Sequence, residues 1–403
     1  MTQSPVNSPF EPAELYNQVT LESWRETAVK ALKGEAFETL EKTSDDGIAI
    51  HPLYTAQDVG APNALAPKTN NDGLWDIRQR VLVEAENEAN KIALNELENG
   101  ANSIDFEISD TKFDFAALSN GIFDDLASIG IIGHENGLEI AKNIIGQTPK
   151  EKLEKSLLSF NLDPLSLNLT GFDNYNLDDT LAFYGENIGK APKAKFLCAS
   201  ADWMLGIDAS RALQVAILIA SGIEYLRAGE SKGFSPSQIN EALLFQIGID
   251  GQVILEIAKL RAIRTLWAKV GAAIGENLPM DLQAIVSSQM LEDEHPHTNI
   301  LRIANACFAA GTGGANIITT RSFEPDPEKE SEFTRRIARN TQIILANESN
   351  IARANDPASG SFAFETLTSE IAKSAWGIVQ EIEKAGGFSK AIKSGFIAKK
   401  LGE

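Results

Sequence analysis

The stretch Lys195–Glu230, "KFLCASADWMLGIDASRALQVAILIASGIEYLRAGE", decides the fold class of this chain. Its first six residues, KFLCAS, form a short apolar run of the kind that a buried strand requires. From Ser210 to Glu230 the apolar residues recur at helical spacing, and a short connection joins the two segments. A strand followed by a long helix is the βα unit from which parallel sheets are built, so the stretch predicts an α/β protein.

The same pattern recurs along the chain. Further β-rich runs are SIDFEI (103–108), IGIIGH (129–134), AIVSS (284–288) and NIITTRSF (316–323), and long helical patterns cover 81–100 and 252–271. These units follow one another without an internal linker. We therefore predict a (β/α)8 TIM-type barrel over residues 71–395 rather than two small doubly wound domains.

The first part of the chain does not show this alternation. Leu21–Gly34 is an amphipathic helical pattern that a glycine closes, and Gly47–Thr55 is a short strand-like piece. Val59–Gly73 is rich in Pro, Asn and Gly, which is typical of a loop. We predict that residues 1–70 form an extended N-terminal helical arm that contacts another subunit.

Composition excludes several classes of protein. The 403 residues carry 36 Lys+Arg against 56 Asp+Glu, a net charge of -20, which disfavours nucleic-acid binding because phosphates would be repelled. No run of 18 apolar residues predicts a membrane span, and the first residues lack the features of a signal peptide. Cys198 and Cys307 lie in apolar stretches, so we expect buried thiols and a cytoplasmic location.

The stretch Asp293–Phe323 combines two histidines with a glycine cluster. Its apolar residues follow helical spacing up to GTGG (311–314), and a β-rich run comes next. A phosphate-binding glycine loop has the opposite order, after a strand and before a helix. We therefore interpret the glycines as a helix cap and a tight turn. On the same periodicity, Trp267, Phe308 and Trp376 are predicted to lie in the core.

Five polar residues could carry chemistry by their spacing or position in the sequence. His295 and His297 would need a third ligand to hold a metal, and none is evident, so we expect no metal site. Asp293 and His295 have the spacing of the Asp-x-His-x-x-Gly motif of cobalamin proteins, but Thr298 replaces its glycine. Glu348 and Asp356 are acids near predicted element ends, where barrel active sites lie, so they are the candidate cofactor-binding residues at the barrel top.

Several segments, in order along the chain, resemble the barrel subunits of methylmalonyl-CoA mutases. They are Trp24–Thr55, Leu74–Val81, Ala93–Ile104, Glu256–Val270, His297–Phe323 and Arg336–Trp376. The resemblance implies a (β/α)8 barrel and a radical rearrangement of methylmalonyl-CoA to succinyl-CoA with adenosylcobalamin. It also implies that acyl-CoA threads the barrel and that cobalamin covers its carboxyl-terminal face.

The chain departs from that family where its chemistry lies. The Tyr-His pair of catalytic subunits is replaced by Asp202 and Trp203, and an indole ring has one donor and no acceptor. An Arg and a Ser that grip CoA are replaced by Asn240 and Ala242. The strand motif with a Gln and a Gly reads IVSSQM (285–290), and the Tyr- and Arg-rich loop reads APNALAPKTNNDG (61–73). We therefore expect no catalytic residue and no cofactor-binding residue of the family in this chain.

The chain stops after GGFSKAIKSGFIAKKLGE (386–403), so we expect no C-terminal cobalamin-binding domain. This pattern resembles the small subunits of heterodimeric members of the family. It implies a non-catalytic partner of a catalytic large subunit, with adenosylcobalamin and acyl-CoA bound only in the complex. Two alternatives remain: an active isomerase half that receives cobalamin from a separate protein, and a diverged pseudoenzyme with another ligand.

Overall fold

A computed structural model describes residues 19–60, 63–68, 74–171, 175–326 and 329–402. The chain divides into two compact units, and the boundary between them lies between Tyr54 and Thr55. The two units are described separately below.

The first unit contains one helix and a small hairpin. The helix Leu21–Ala31 confirms the predicted amphipathic helix, although none of its residues is buried within the chain. The strands Lys42–Thr43 and Ala49–Ile50 pair antiparallel, as the strand-like piece indicated. Trp24 packs edge-on against Phe37, with 6.0 Å between the ring centroids.

The second unit is a closed barrel of eight parallel strands, which confirms the predicted (β/α)8 fold. Each strand pairs with its neighbours in chain order, and the last strand pairs with the first. The strands are β1 Asp76–Leu82, β2 Ser103–Glu107, β3 Ser128–Ile132, β4 Leu158–Leu162, β5 Lys195–Ser200, β6 Leu243–Ile249, β7 Leu282–Val286 and β8 Ile317–Thr320.

Helices connect the strands and cover the outside of the barrel. They are α1 Glu86–Glu98, α2 Phe115–Leu118, α3 Gly137–Gln147, α4 Lys150–Leu153, α5 Pro164–Leu169, α6 Leu177–Asn187, α7 Arg211–Ser231, α8 Pro236–Ala242, α9 Val253–Ile274, α10 Asn299–Gly313, α11 Glu332–Ile343, α12 Phe362–Lys384, α13 Phe388–Lys393 and α14 Phe396–Leu401.

The seam between β8 and β1 is held by polar side chains as well as by the strand ladder. Gln342 on α11 donates to the hydroxyl of Thr320 at 3.1 Å and accepts from the indole of Trp75 at 3.1 Å. The buried carboxylate of Glu96 on α1 forms an ion pair with Arg339 on α11. The first and last βα units are therefore joined directly, which closes the barrel.

Three strands were missed in the sequence. β1 includes residues 81 and 82, which were predicted to belong to the helix over 81–100. β6 begins at Leu243, directly after α8 ends at Ala242, so no turn signal separates the two. β4 has only five residues, and its pairing with β5 is irregular. The sequence therefore provides no clear boundary on at least one side of β1 and β6, and β4 is short.

The glycine cluster behaves as scaffold, as predicted. Gly314, at φ 91°, caps α10, and β8 follows it. Gly311 and Gly313 lie inside the helix rather than in the turn. A Cβ on Gly311 would approach the Trp75 ring to 2.8 Å, and one on Gly313 would approach Leu260 to 2.7 Å, so these glycines permit close packing.

The segment before the barrel belongs to the barrel unit. The predicted arm extended to about residue 70, but the boundary lies sixteen residues earlier, at Tyr54. The reason is that Ala66 is buried and donates its N–H to the carbonyl of Arg264 at 3.0 Å. Lys68 forms an isolated parallel bridge with Met280.

Helix α7 is long and apolar enough to cross a membrane by length and composition. However, 78% of its most apolar window is buried inside the protein. It packs against α9 and α12, which is the environment of a core helix.

The predicted core residues have different outcomes. Trp267 is completely buried; its ring lies 4.7 Å from that of Phe245, and its indole N–H donates to Asn240 at 3.0 Å. Trp376 is half-buried beneath the ammonium of Lys269. The prediction for Phe308 is wrong, because this side chain is 38% exposed on the outer face of α10.

We predict that Trp267→Ala lowers the free energy of unfolding by about 3–5 kcal/mol, because it leaves a cavity and an unpaired Asn240. Phe308→Ala, the matched control on an outer face, should cost roughly 1 kcal/mol or less. Urea unfolding followed by circular dichroism measures both. Equal effects of the two substitutions would contradict the packing described.

Candidate functional site

A layer of polar side chains crosses the barrel axis. Asp105 on β2 accepts from Gln283 Nε2 on β7 at 2.9 Å, although β8 and β1 lie between these two strands. Asp105 also accepts from Arg78 Nη1 at 3.1 Å, and Gln246 donates to Gln283 at 3.0 Å. Because a bond between non-adjacent strands must pass through the lumen, this layer fills the barrel at mid-height.

A glycine makes room for the layer. Gly130 on β3 is the register partner of Asp105, and a Cβ at this position would collide with the Asp105 carboxylate. Arg78, Asp105 and Gln283 are each at most 1% exposed. The charged pair is buried but satisfied, since hydrogen bonds from several strands supply its partners.

Two cavities lie on opposite sides of the layer. The lower one, of about 340 Å³, opens near the amino-terminal ends of the strands and is lined by Arg78 and Lys195 among others. The upper one, of about 310 Å³, lies at the carboxyl-terminal ends and is lined by Arg80 and Gln246 among others. We call the upper cavity the mouth cavity. It lies where barrel enzymes place their chemistry.

An ion trio forms one side of the mouth cavity. Glu107 at the end of β2 accepts from Arg80 Nη2 at 2.7 Å and lies 3.0 Å from His134 Nε2. The hydrogen bond to His134, with help from Arg80, lowers the pKa of Glu107 to about 2, against the opposing effect of burial. The same bond raises the pKa of His134. His134 therefore carries its positive charge more readily than an isolated histidine.

A buried carboxyl lies at the floor of the mouth cavity. Asp163 accepts from the Ser200 N–H at 2.8 Å, from the Ser166 hydroxyl at 2.6 Å and from the Tyr225 hydroxyl at 3.1 Å. Burial raises the pKa of Asp163 to about 6, although these hydrogen bonds oppose the shift. Asp163 ties the ends of β4 and β5 to α7.

Asp202 and Trp203 line the same cavity, in a 3-10 turn that follows β5. The Ser200 hydroxyl donates to Asp202 at 2.5 Å. The indole N–H of Trp203 is buried and finds no acceptor among the residues that the structure describes. The two residues therefore lie in a site position, but neither of them offers an imidazole or a phenol.

Comparison with known proteins identifies the family. A sequence profile of the methylmalonyl-CoA mutases matches residues 177–403. The chain is 31% identical to the methylmalonyl-CoA mutase small subunit of Streptomyces virginiae, over 91% of this chain and 62% of that protein. The chain belongs to the methylmalonyl-CoA mutase family.

Other relatives carry the names of both subunit types. The small subunit of Propionibacterium freudenreichii subsp. shermanii is 30% identical, over 96% of this chain and 65% of its own length. The large subunit of the same organism is 37% identical, but only over 51% of this chain and 29% of that protein. The chain spans somewhat less than two thirds of the small subunits that it matches.

The positions at which the resemblance predicts CoA-binding residues have structural roles here. Asn240 donates to the carbonyl of Pro279 at 2.7 Å and accepts from Trp267 at 3.0 Å. Ala242 is buried at the end of α8. Ile285, within the IVSSQM motif, lines the mouth cavity. Of the loop at 61–73, residues 61–62 and 69–73 lie outside the described residues.

The two acidic candidates for the barrel top lie elsewhere. Asp356 forms an ion pair with Arg261 in the middle of α9, on the outer helix layer. Glu348 follows α11 by five residues, and the last residue of that helix, Ile343, packs against Gly100 just before β2 begins. Glu348 therefore lies towards the amino-terminal face. Both residues were assigned to the barrel top because they lie near the ends of predicted elements. A position near an element end does not show which end of the barrel the residue occupies.

The histidines of the carboxyl-terminal face do not fit the axial ligand that adenosylcobalamin needs in this family. The Nε2 of His134 is engaged by Glu107 at 3.0 Å, so this nitrogen is not available to a metal. His297 stacks on Phe323, with 5.4 Å between the ring centroids. His295 precedes the same short turn and makes no side-chain hydrogen bond within the described chain. Across the described ranges no three His, Cys, Asp or Glu side chains form a group that could hold a metal.

Most of the residues around the mouth cavity were not among the candidates predicted from the sequence. Glu107 and His134 close the runs SIDFEI and IGIIGH, both of which were recognised as β-rich. The rule that barrel sites gather at the carboxyl ends of strands would have selected them. Arg80 was missed because β1 itself was missed.

We predict that His134→Asn lowers the melting temperature more near pH 5.5 than near pH 8.5. The lowered pKa of Glu107 means that its stabilisation is present above 4.5 and lost as the pH falls towards 2. The raised pKa of His134 means that its stabilisation is present below 6.5 and lost as the pH rises through the folded value. Asn tolerates the left-handed backbone of His134, which has φ 44°.

The matched control is His295→Asn, on the loop that follows β7 and without an ion pair in the described chain. Its effect on the melting temperature should be the same at both pH values. A His134→Asn effect that does not depend on pH would contradict the ion trio.

Proposed function

We propose that this chain is the barrel of a small subunit in an adenosylcobalamin-dependent methylmalonyl-CoA mutase, and that it supports a catalytic large subunit without performing chemistry itself. The observation that carries the proposal is the polar layer of Arg78, Asp105 and Gln283. The family resemblance implies that acyl-CoA threads the barrel. Here that path is filled by side chains that bond to each other.

The chemistry of the mouth cavity supports the same proposal. Where catalytic subunits of the family have Tyr and His, Asp202 is engaged by Ser200, and the Trp203 ring cannot accept a proton. Asn240, at the position of a CoA-gripping Arg, is occupied by Pro279 and Trp267. A neutral amide also lacks the bidentate charge that binds phosphate.

The names of the relatives support the choice of partner. Similarity to proteins named small subunit extends over more than nine tenths of this chain, whereas similarity to one named large subunit covers about half. We infer that a catalytic large subunit is the partner and that it holds the adenosylcobalamin and the acyl-CoA of the complex. We expect no nucleic acid or membrane as a partner, and a cytoplasmic location.

The test is reconstitution with a large subunit from the same organism. In the complex, His295→Ala and Asp202→Asn should leave turnover within a few-fold of wild type, since neither side chain takes part in chemistry. Substrate titration should give one acyl-CoA per pair of subunits. The matched control replaces the histidine of the large subunit's own Tyr-His pair, which should lower turnover by about 10²–10⁴-fold.

Two results would show that this barrel is an active half. One is a second equivalent of acyl-CoA that is lost when the layer is altered by Gln283→Leu. The other is a fall in turnover with Asp202→Asn as large as that of the large-subunit control.

A separate prediction concerns the first unit. The helix Leu21–Ala31 has no buried residue, and Val29 and Leu53 are exposed within the chain. We predict that deleting residues 1–50 abolishes co-purification with the large subunit, while the melting transition of the barrel is retained. Trp24→Ala should weaken co-purification, and Glu22→Gln, on the same helix, should not. Undiminished co-purification of the deletion variant would exclude a role of the arm in assembly.

A further inference from the structure

The segment that leads from the first unit into the barrel is attached to the outer helix layer. We call residues 55–60 and 63–68 the entry segment. Its first turn is closed by Asp58, whose Oδ2 accepts from the backbone N–H of Thr55 at 2.7 Å and from its hydroxyl at 2.9 Å. The hydroxyl of Thr366 on α12 donates to the carbonyl of Asp58 at 3.2 Å. The start of the entry segment is therefore bound to α12.

A second attachment is made by the side chain of Asn63. Its Nδ2 donates to Glu365 Oε2 at 2.8 Å and to the carbonyl of Glu365 at 3.1 Å. Ser369 Oγ lies 3.2 Å from Asn63 Oδ1, within the distance of a donor. One side-chain amide thus spans a full turn of α12, from Glu365 to Ser369, and both of its polar atoms are engaged.

The carboxylate of Glu365 is itself fixed by other contacts. It is 5% exposed, and its Oε1 accepts from Arg261 Nη2 on α9 at 2.6 Å and from the N–H of Gly360 at 3.2 Å. Its Oε2 is the atom that Asn63 contacts. Because the acceptor is a buried carboxylate, this hydrogen bond is stronger than one between two neutral groups.

The barrel does not depend on this attachment for its closure. The eight-stranded ring closes through its own ladders and through the seam between β8 and β1. The partners of Asn63 belong instead to α12, which packs on the outer helices α7 and α9. Both Asn63 and Thr366 are only half-buried. The attachment therefore fixes the path of the entry segment rather than the sheet.

The first unit is the part of the chain that gains from such an anchor. Its helix Leu21–Ala31 has no buried residue, and Leu53, near the end of the unit, is 41% exposed. A unit on a loose tether samples many positions, and binding to a partner must stop this motion at a cost in entropy. A tether that is fixed in advance lowers this cost, because the point from which the unit extends is already set.

We infer that Asn63 is a positioning residue for assembly: anchored on Glu365, it fixes the point on α12 from which the first unit extends, so that this unit is pre-placed for the large subunit. Asn63 acts through the residues that precede it and not by contact with the partner. The inference rests on the proposed function, which supplies the partner. It goes beyond that function by assigning part of the assembly affinity to a contact inside this chain.

The experiment compares Asn63→Ala with the wild-type full chain in two measurements. Calorimetric titration gives the Kd for the large subunit, and amide hydrogen exchange of the chain alone reports on residues 55–60. We expect Asn63→Ala to raise the Kd about tenfold or more and to speed exchange at residues 55–60. The melting temperature of the barrel should fall by no more than about 2 °C, because one half-buried contact is a small part of the stability of a large unit.

The matched control is Asn143→Ala. Asn143 on α3 is also half-buried, and its Nδ2 fixes a loop by donating to the carbonyl of Thr111 at 2.7 Å. This substitution should lower the melting temperature by a similar amount and leave the Kd for the large subunit within about twofold of wild type. A role of Asn63 in stability alone would move both variants together.

Each outcome decides the inference. A Kd of Asn63→Ala within about twofold of wild type overturns it, and so does unchanged exchange at residues 55–60 or equal weakening by Asn143→Ala. Failure of the wild-type chain to bind the large subunit overturns the proposed function, and the inference with it. Should Asn63→Ala fail to fold, Thr366→Val removes the donor to Asp58 at nearly constant shape; it should weaken binding several-fold, and unchanged binding would overturn the inference.

Discussion

The buried carboxylate of Asp105 constrains the interior of this barrel more than any other single group. A charge in the lumen must be paired, and Arg78 supplies the pairing from the adjacent strand. Its second oxygen still needs a donor, which Gln283 provides from across the axis. Satisfying one acid thus links strands that share no ladder, and it leaves no room for an extended ligand along the axis.

The same constraint separates the functions of the two barrel ends. Above the layer, strand ends present arginines, a histidine and a buried acid, which are the groups of a binding site. Below it, the lower cavity has lysine and aspartate side chains that pair with each other, such as Lys195 with Asp281 at 2.6 Å. The resemblance implies that one long substrate occupies both ends of a mutase barrel. In this chain each end is a separate environment.

Sequence periodicity predicted the barrel because strand–helix alternation survives even where single strands are hard to recognise. It missed β6, which joins α8 without a turn, and it misplaced Phe308, whose helix position is apolar yet faces outward. For the site, the resemblance pointed to Asp202 and Trp203, and both line the mouth cavity. It did not reveal the ion trio: Glu107 and His134 close recognised β-rich runs, but Arg80 lies on β1, which was missed. Glu348 and Asp356 were assigned to the barrel top because they lie near predicted element ends, and such a position does not distinguish the two ends of a barrel.

The polar layer also bears on the history of this barrel. Removing any one member leaves a partner buried and unpaired, which costs about 1–3 kcal/mol, and more where a charge is left. Reopening an axial channel therefore requires several substitutions together, since each alone is destabilising. Gly130 adds a further constraint, because any larger residue there collides with Asp105. Once such a layer has formed, single substitutions that would reopen the lumen are selected against, because each of them destabilises the fold.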